Sequence, residues 1–297
     1  MDIRNIKTFV RVAELKSFTK AAEEMNYVQS TVTMQIQQLE RELGYPVFDR
    51  IGKKVSLTAP GTEFLKYAYQ ILHVIDEAEA LGKEAAELRG VLRIGVSETL
   101  MFGVLLVLLP TLKQSYKNLD IRIKTGHTPE LIEELKHNRL DLVYLSTHPN
   151  TDPDLCCHYI KQEPLVFLCG NGHPLAQKTN IPFEDVMNCE FLLTEREGFC
   201  HKRLRELAAK HHVNLHSSME LDSVYVITKL VEQNMGLAFL PEFAVTQQLA
   251  DGRLCKLDVK GEFPTYYSQI LCHKDRWLSP FIRGTIDAIQ AFRPGNN

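Results

Sequence analysis

Polar side chains gather at the start of a predicted helix near the N-terminus, where their chemistry suits the edges of DNA bases. Glutamine can bond adenine through two hydrogen bonds, hydroxyls bond base edges or phosphates, and apolar atoms contact thymine methyl groups. The combination predicts a surface that reads DNA sequence. Its outward-facing residues are Gln29, Ser30, Thr31, Thr33, Met34 and Gln37.

Two helices separated by a tight turn are predicted to position this surface. Ser17 caps the first, short helix, and Ser30 or Thr31 caps the second, which runs to Leu43. In such a helix-turn-helix, the N-terminal residues of the second helix enter the major groove. Ser17 and Thr19 of the first helix complete the candidate DNA-contacting set. The alternative is a three-helix bundle without a DNA-binding role.

A basic hairpin is predicted next, with strands on either side of Gly52. Arg50, Lys53 and Lys54 are spaced to contact phosphates, which position a protein on DNA without selecting sequence. Residues 1–58 carry nine Lys and Arg against seven Asp and Glu, a net charge of +2, whereas the whole chain carries −3. A polyanion partner is therefore expected at this end. A solvated basic hairpin is the alternative.

A second group of polar residues follows predicted strands in the C-terminal part of the chain. Ligands of α/β proteins bind beyond the carboxyl ends of strands, and hydroxyls with free helix N–H groups suit a carboxylate or another small anion. These loops predict a ligand cleft, although each hydroxyl could instead only cap a helix. The candidate set is Ser97, Glu98, Thr99, His127, Thr128, Thr147, Arg196, Phe199 and Cys200.

Cys200 has the surroundings of a reactive cysteine. It is predicted at a helix N-terminus beside His201, Lys202 and Arg203, features that lower a thiol pKa. The alternative is a thiol that lines the cleft and contacts a metabolite. Other cysteines and histidines, such as the run over residues 156–158, lack metal-site spacing, so no metal and no other cofactor is predicted.

Length and composition indicate the class of protein that carries these two sites. The chain has 297 residues, 44% hydrophobic and 24% charged, which indicates a soluble globular protein of two to three domains. The longest apolar run, Leu100–Leu112, is too short for a membrane span. The first residues lack a secretion signal, and the seven cysteines lack a disulfide framework. A cytoplasmic protein with free thiols is expected.

Periodicity divides the remainder into a long helix and an α/β region. Apolar residues recur at spacings of three and four over residues 61–88, which predicts a dimerising linker helix or a helix packed on its own domain. From residue 91, strands alternate with helices, which predicts two subdomains with mostly parallel sheets. Strand 269–273 and helix 280–292 are expected to return to the first subdomain.

The chain resembles the LysR-type transcriptional regulators over nearly its whole length, with motifs in the family's order and spacing. Met34 departs from the polar or basic residue that the family more often has. The N-terminal motifs include Ser17-Phe18-Thr19-Lys20-Ala21-Ala22, Gln29-Ser30-Thr31-Val32-Thr33, Ile36-Gln37-Gln38-Leu39-Glu40 and Phe48-Asp49-Arg50. The C-terminal motifs include Leu92-Arg93-Ile94-Gly95, His173-Pro174-Leu175-Ala176 and Gly236-Leu237-Ala238-Phe239-Leu240-Pro241.

The resemblance implies an α+α/β fold class with three parts. These are an N-terminal winged helix-turn-helix over residues 1–60, a dimerising linker helix over 61–89, and an effector-binding domain over 90–297. The last is of the periplasmic-binding-protein-like type, with subdomain I over 90–163 and 266–297 and subdomain II over 164–265. The resemblance also implies self-association as a dimer or tetramer on double-stranded DNA, at an interrupted palindrome near a promoter. RNA polymerase is a further candidate partner.

The leading hypothesis is a sequence-specific transcriptional regulator controlled by a small, anionic metabolite bound between the subdomains. One alternative makes Cys200 a redox sensor, because it resembles the reactive cysteine of the family's peroxide-sensing branch. That branch's second cysteine is absent, since Ala208 and Ala209 stand at its place. A cytoplasmic solute-binding protein is another alternative. No catalytic motif supports an enzyme.

Overall fold

The computed structural model describes residues 1–51, 54–80, 89–196, 198–261, 263 and 266–293. Contacts between residues divide the chain into an N-terminal and a C-terminal compact unit. The N-terminal unit consists of helices and a hairpin. The C-terminal unit consists of β-sheets and helices.

Side-chain caps begin the first two helices of the N-terminal unit, and a glycine follows the third. Asp2 accepts a hydrogen bond from the Arg4 N–H at 2.8 Å, and Ser17 accepts one from the Lys20 N–H at 3.2 Å. The third helix ends at Gly44, whose φ of +80° costs a glycine little. The elements are α1 Ile3–Leu15, α2 Phe18–Glu24, α3 Gln29–Leu43, β1 Phe48–Ile51, β2 Lys54–Leu57 and α4 Ala59–Ala80.

Aromatic rings join the hairpin and α4 to the first three helices. The ring centroid of Phe9 lies 5.4 Å from that of Phe48 and 5.1 Å from that of Phe64. Ala21 and Ala22 of α2 are buried, and their small side chains allow close helix packing. The prediction of a winged helix-turn-helix is confirmed.

The predicted caps of α3 are wrong. The helix begins at Gln29, and Val28 occupies the N-cap position without a side-chain hydrogen bond. Ser30 and Thr31 therefore lie inside the first turn. A capping hydroxyl must belong to the extended residue just before the helix, and here that residue is Val28, with φ −81° and ψ 147°.

The apolar side chains of α4 divide between the core of the N-terminal unit and the surface. Residues 81–88 of the predicted linker helix lie outside the described residues. Phe64 and Ala68 are buried in the core of the N-terminal unit. Tyr67 and Val74 are 56% and 62% exposed. Part of the stripe thus packs on its own unit, and another part leaves apolar side chains on the surface.

In the described part of the C-terminal unit, one sheet has the strand order β4-β3-β5-β12-β6. Strand β3 is parallel to β4 and β5, whereas β12 is antiparallel to β5 and β6. The late strand β12 therefore lies between β5 and β6 in this sheet, as predicted for residues 269–273. The bounds are β3 Gly90–Val96, β4 Leu119–Thr125, β5 Leu142–Thr147, β6 Leu155–Glu163 and β12 Tyr266–His273.

A second group of strands continues from β6. Strand β7 lies between β10 and β11 and is antiparallel to both, and β8 pairs in parallel with β9. The expectation of a mostly parallel sheet is wrong, because β7 is antiparallel to both of its neighbours and β12 is antiparallel to β5 and β6. Apolar patterns along the chain locate strands, whereas the direction of pairing depends on which strands become neighbours in the fold. The bounds are β7 Leu165–Gly170, β8 Phe191–Thr194, β9 Ser217–Leu221, β10 Ala238–Pro241 and β11 Leu254–Lys256.

Apolar spacing in the C-terminal unit predicts helices over 99–116, 129–138, 200–212, 223–233, 241–249 and 280–292. Two of them differ in type, and the helix Phe183–Met187 is not among them. The predicted helix 241–249 is a 3₁₀-helix, Glu242–Val245, followed by a short α-helix, Thr246–Ala250. The predicted helix 99–116 is a short α-helix, a π-helical segment Met101–Leu105 and a further α-helix. At Gly103 a Cβ atom would lie 2.7 Å from the Phe243 ring, so glycine permits this approach. The bounds are α5 Glu98–Leu100, α6 Leu106–Ser115, α7 Thr128–Lys136, α8 Phe183–Met187, α9 Phe199–Lys210, α10 Val224–Glu232, α11 Thr246–Ala250 and α12 Pro280–Ala291.

None of the helices within the described ranges combines the length and the apolarity that a membrane span requires.

Candidate functional site

The first candidate surface is the outer face of α3. Gln29, Ser30, Met34 and Gln37 are exposed, and Thr33 is half-buried. The Thr33 hydroxyl donates to the Gln29 carbonyl oxygen at 3.0 Å, so its proton is already used within the helix. The remaining polar groups point outward from the first three turns of one helix, as a base-reading surface requires.

Helix α2 touches this surface through one hydrogen bond. The Thr19 hydroxyl donates to Gln29 Oε1 at 3.1 Å. Thr19 is exposed, and Ser17 caps α2. Thr31 is half-buried in the first turn of α3. The bond orients the Gln29 amide so that its NH₂ group remains available to another acceptor.

The hairpin is anchored to α3. Glu40 Oε1 accepts hydrogen bonds from the N–H groups of Val47 at 2.9 Å and Phe48 at 3.4 Å. Arg50 and Lys54 lie in β1 and β2, where Arg50 pairs with Val55. The side chains of Arg50 and Lys54, and all of Lys53, lie outside the described residues, so their predicted phosphate contacts stay predictions.

The second candidate site is a cavity of about 490 Å³ in the C-terminal unit. Its walls come from the ends of strands β3, β4, β5 and β8 and from the starts of α9 and α10. A volume in this range suits a small organic ligand. The lining residues include Ser97, Glu98, Thr99, Gly126, His127, Thr128, Ser146, Thr147, His148, Thr194, Glu195, Phe199, Cys200, Lys202, Arg203, Glu206, Asp222 and Val224.

Hydroxyl groups form one side of the cavity. Ser146 Oγ lies 3.0 Å from Ser97 Oγ and 3.3 Å from Thr99 Oγ1. The Thr194 side chain is 7% exposed, and its hydroxyl has no hydrogen-bond partner among the described residues. A buried hydroxyl left unpaired costs free energy, so a ligand that bonds Thr194 would recover that cost.

Two carboxylates lie elsewhere in the cavity, one beside a backbone N–H group and the other beside an imidazole ring. Both Glu98 carboxylate oxygens accept from the Val224 N–H at 3.0 Å, and Glu195 lies 3.7 Å from the His127 ring. Partial burial is the main cause that raises the pKa of Glu98 and of Glu195 above the usual range. The bond from Val224 ties α5 to the start of α10 across the cavity.

The start of α9 presents a cationic and aromatic face. Arg203 pairs with Glu206 at 2.7 Å and lies 5.5 Å from the centroid of the Phe199 ring. That ring meets His148 edge-on, with centroids 5.7 Å apart. Lys202 also lines the cavity. An anionic group entering here meets two basic side chains beside an aromatic surface.

The predicted lowering of the Cys200 pKa is wrong. Cys200 is only 4% exposed, and burial, reinforced by the charges of Glu195 and Glu98, raises the pKa of its thiol to about 12. The neighbouring His201 is buried and bonds the Thr194 carbonyl oxygen at 2.9 Å through Nδ1. Desolvation outweighs the helix terminus and the nearby cations, so Cys200 remains a protonated thiol at neutral pH.

The predicted place of Arg196 in the ligand cleft is also wrong. Its side chain is exposed and does not belong to the cavity wall, where the preceding Glu195 lies instead. The other eight candidate effector residues surround the one cavity. Within a tight turn, successive side chains point in different directions, and composition alone does not say which one points inward.

Several lining residues were absent from the predicted set. Lys202, Arg203 and Glu206 follow Phe199 at intervals of three, four and seven residues, which places all four on one face of α9. Once Phe199 was placed in the cleft, that spacing would have predicted the other three as lining residues. Asp222 precedes α10, and nothing in its sequence surroundings marks it. Within the described ranges, no three His, Cys, Asp or Glu side chains form a group able to hold a metal ion.

Comparison with known proteins assigns both units to one family. Residues 3–62 match the family described as bacterial regulatory helix-turn-helix protein, lysR family. Residues 85–293 match the LysR substrate binding domain. The chain is 30% identical to the uncharacterized HTH-type transcriptional regulator YwqM of Bacillus subtilis, over 97% of this chain and 98% of YwqM.

Solved structures share the fold. A full-length OxyR variant from Pseudomonas aeruginosa matches with a TM-score of 0.75 and 23% identity, over 98% of this chain and 95% of that one. Full-length CbnR, solved in complex with its target DNA, matches with a TM-score of 0.63 and 19% identity, over 98% and 99%. At these identities the likeness concerns the fold alone.

Proposed function

Since the chain belongs to the LysR family of bacterial transcriptional regulators, we propose that α3 reads DNA bases and that a small molecule in the cavity controls this binding. The observation that carries the proposal is the exposed polar face on the first three turns of α3. Met34 would contact a thymine methyl group, and Gln29 or Gln37 an adenine edge. Arg50, Lys53 and Lys54 would hold phosphates.

The ligand in this proposal is a small molecule with an anionic group. The hydroxyls of Ser97, Thr99 and Ser146, together with the unpaired Thr194 hydroxyl, supply hydrogen bonds. Lys202 and Arg203 supply positive charge. Arg203 already pairs with Glu206, so an anionic group of the ligand would share that guanidinium with Glu206, beside Lys202 on the same wall.

Binding would act through the two sides of the cavity. The Glu98–Val224 bond joins them, and a ligand that competes for or strengthens this bond changes the angle between the subdomains. A change of that kind would alter the spacing of DNA-binding units in a dimer or tetramer, and so transcription. Linkage requires the ligand to bind the two quaternary states with different affinities. RNA polymerase is a further proposed partner.

A footprint of the purified chain on DNA adjoining its own gene tests the DNA-binding part. We expect two protected half-sites and an affinity that falls steeply as salt concentration rises, because phosphate contacts release counterions. Protection no stronger than on random DNA, at every salt concentration and with cell extract metabolites added, would contradict the proposal and favour a solute-binding protein.

The proposed dimer contact is the exposed side of α4. Tyr67 and Val74 are one heptad apart and exposed on the single chain, as seam residues of a coiled coil are before pairing. Replacing both with alanine should shift the chain towards monomer in analytical ultracentrifugation without lowering its helix content. Gln70→Ala, on an exposed position of the same helix, is the matched control. An unchanged dimer in the double variant would overturn this contact.

A further inference from the structure

Four of the seven cysteines lie opposite one another in antiparallel strand pairs. Cys169 on β7 pairs directly with Cys255 on β11, and Cys156 on β6 pairs directly with Cys272 on β12. Directly opposite residues point to the same face of a sheet, with Cβ atoms about 4.5–5.5 Å apart. The strand register thus brings together thiols that lie far apart in the sequence.

The pair on β7 and β11 combines one inaccessible and one accessible thiol. Cys169 is 0% exposed, and Cys255 is partly exposed. Burial, reinforced by the charges of Cys255 and Cys189, raises the pKa of the Cys169 thiol to about 12. The three sulfurs are therefore close enough to influence one another. A solute can reach the Cys255 thiol. The buried Cys169 thiol is protonated and can react only with its neighbour after that neighbour has been oxidised.

We propose that Cys169 and Cys255 form a redox-active cross-strand dithiol, a modification site that closes to a disulfide when a peroxide oxidises the protein. The strand register meets the Cα requirement for this bond, and the two Cβ atoms must approach to about 3.5–4.5 Å as it forms. Opposite residues in an antiparallel pair have Cα atoms about 4.5–5.5 Å apart, and disulfides span Cα separations of about 4.4–6.8 Å. The bond would fasten the edge strand β11 to β7, the strand in the middle of its sheet.

The chemistry takes two steps and consumes one peroxide. The Cys255 thiolate attacks a peroxide oxygen, an S–O bond forms, the O–O bond breaks, and the leaving hydroxide is protonated to water. Cys169 sulfur then attacks the Cys255 sulfenic acid, an S–S bond forms and the S–O bond breaks. The second hydroxide takes the Cys169 proton and leaves as water. Two thiols lose two electrons in total, and hydrogen peroxide accepts them.

This site is separate from the ligand cavity. Neither Cys169 nor Cys255 lines that cavity, and the proposal does not require Cys200 to react. The other opposed pair is less well defined as a site. Cys156 and Cys157 are both exposed, and the register between β6 and β12 shifts between Ile270 and Leu271, next to Cys272.

Trypsin separates the relevant thiols, because Lys161, Lys178, Arg196, Arg253 and Lys256 flank them. Cys169 falls in peptide 162–178, Cys189 in 179–196, Cys200 in 197–202 and Cys255 in 254–256. The reduced, full-length protein is treated with hydrogen peroxide, its remaining thiols are alkylated, and the non-reduced digest is analysed by mass spectrometry. We expect peptide 162–178 linked to peptide 254–256, and release of both by dithiothreitol.

Two variants sharpen the result. Cys255→Ser should abolish the link, and Cys189→Ser, which changes the third nearby thiol, should preserve it. The proposal is overturned if Cys169 is recovered alkylated at peroxide doses that oxidise other cysteines of the wild-type chain. It is also overturned if peptide 162–178 is linked to 179–196 instead. Both decisive readings come from the wild-type protein, so they do not depend on how a variant folds.

Discussion

The exposed face of α3 and the ligand cavity hold their polar groups in different ways. On α3, Gln29, Ser30 and Gln37 belong to one helix and point into solvent. In the cavity, Ser97, Ser146 and Thr194 come from the ends of different strands and are partly or fully buried. The first surface depends on one local element, and the second depends on several elements packing correctly.

Because of this difference, substitutions at the two sites should have different effects on DNA affinity, ligand affinity and stability. A side chain on the α3 face can be removed with little effect on folding, because it makes few contacts within the unit. A side chain in the cavity contacts groups on both sides of it, as Glu98 does with Val224. Substitutions on α3 should therefore change DNA binding alone, whereas substitutions in the cavity should change ligand binding and stability together.

The largest expected effect is on DNA binding. Gln29→Ala removes a candidate base contact, and loss of one bidentate pair costs about 1–3 kcal/mol, or roughly 5- to 150-fold in affinity. Fluorescence anisotropy on the footprinted site measures this loss. Gln38→Ala, at an exposed position further along α3 that bonds Glu42, is the matched control. Equal affinities of both variants for the site would contradict the proposed role of Gln29.

A smaller effect is expected at the unpaired hydroxyl of the cavity. Thr194→Val keeps the side-chain shape and removes the hydroxyl, so the unliganded protein should be at least as stable as wild type. Stabilisation by a responsive carboxylate should weaken by about 0.5–1.5 kcal/mol, the net contribution of one hydrogen bond. Thermal unfolding with a panel of small mono- and dicarboxylates measures both quantities. Unchanged stabilisation of the variant by every member that stabilises wild type would rule out this contact.

A pH-dependent difference is expected for Glu98→Gln. The pKa of Glu98 is raised in the folded chain, mainly by burial, so its contribution to stability is full below the unfolded pKa and is lost as pH rises through the folded pKa. Glutamine does not titrate. The melting temperature of the variant minus that of wild type should therefore increase between pH 4 and pH 7.5. A difference that stays constant or falls would show that Glu98 ionises without cost.

The smallest effect is expected at Cys200. Because burial raises its thiol pKa to about 12, the thiolate that reacts with peroxide is scarce at neutral pH. Cys200→Ser should therefore leave the peroxide response of DNA binding unchanged in a gel-shift assay. A response present in wild type and absent from this variant would favour the redox-sensor alternative.

Local patterns were sufficient to predict the elements that carry the α3 face. The apolar spacing of Val32, Ile36 and Leu39 identifies a helix and its buried side, and the outward residues follow from it. Alternation of apolar and polar residues over 119–125 likewise predicts a strand, and β4 has those bounds, Leu119–Thr125. Strand β6 was missed because most of its residues are exposed at a sheet edge, so it lacks the apolar alternation of a half-buried strand.

Which loop side chains line the cavity, the pKa of Cys200 and the strand register depend on tertiary contacts that the sequence pattern does not give. The rule that ligands bind beyond the carboxyl ends of strands predicted which loops line the cavity. It did not distinguish Glu195 from Arg196 or identify Asp222. The pKa of Cys200 depends on how much water is removed around it, and burial of that degree follows only from the packed fold. The opposition of Cys169 and Cys255 likewise depends on strand register.

The most direct test measures DNA affinity and ligand affinity on the same protein. The carboxylate that most stabilises wild type in thermal unfolding is titrated with and without the footprinted DNA, and the DNA is titrated with and without that carboxylate. We predict that each changes the affinity of the other by the same factor, as linkage requires, and that Thr194→Val needs more ligand for the same change. Identical DNA affinity at zero and saturating ligand would contradict control through the cavity.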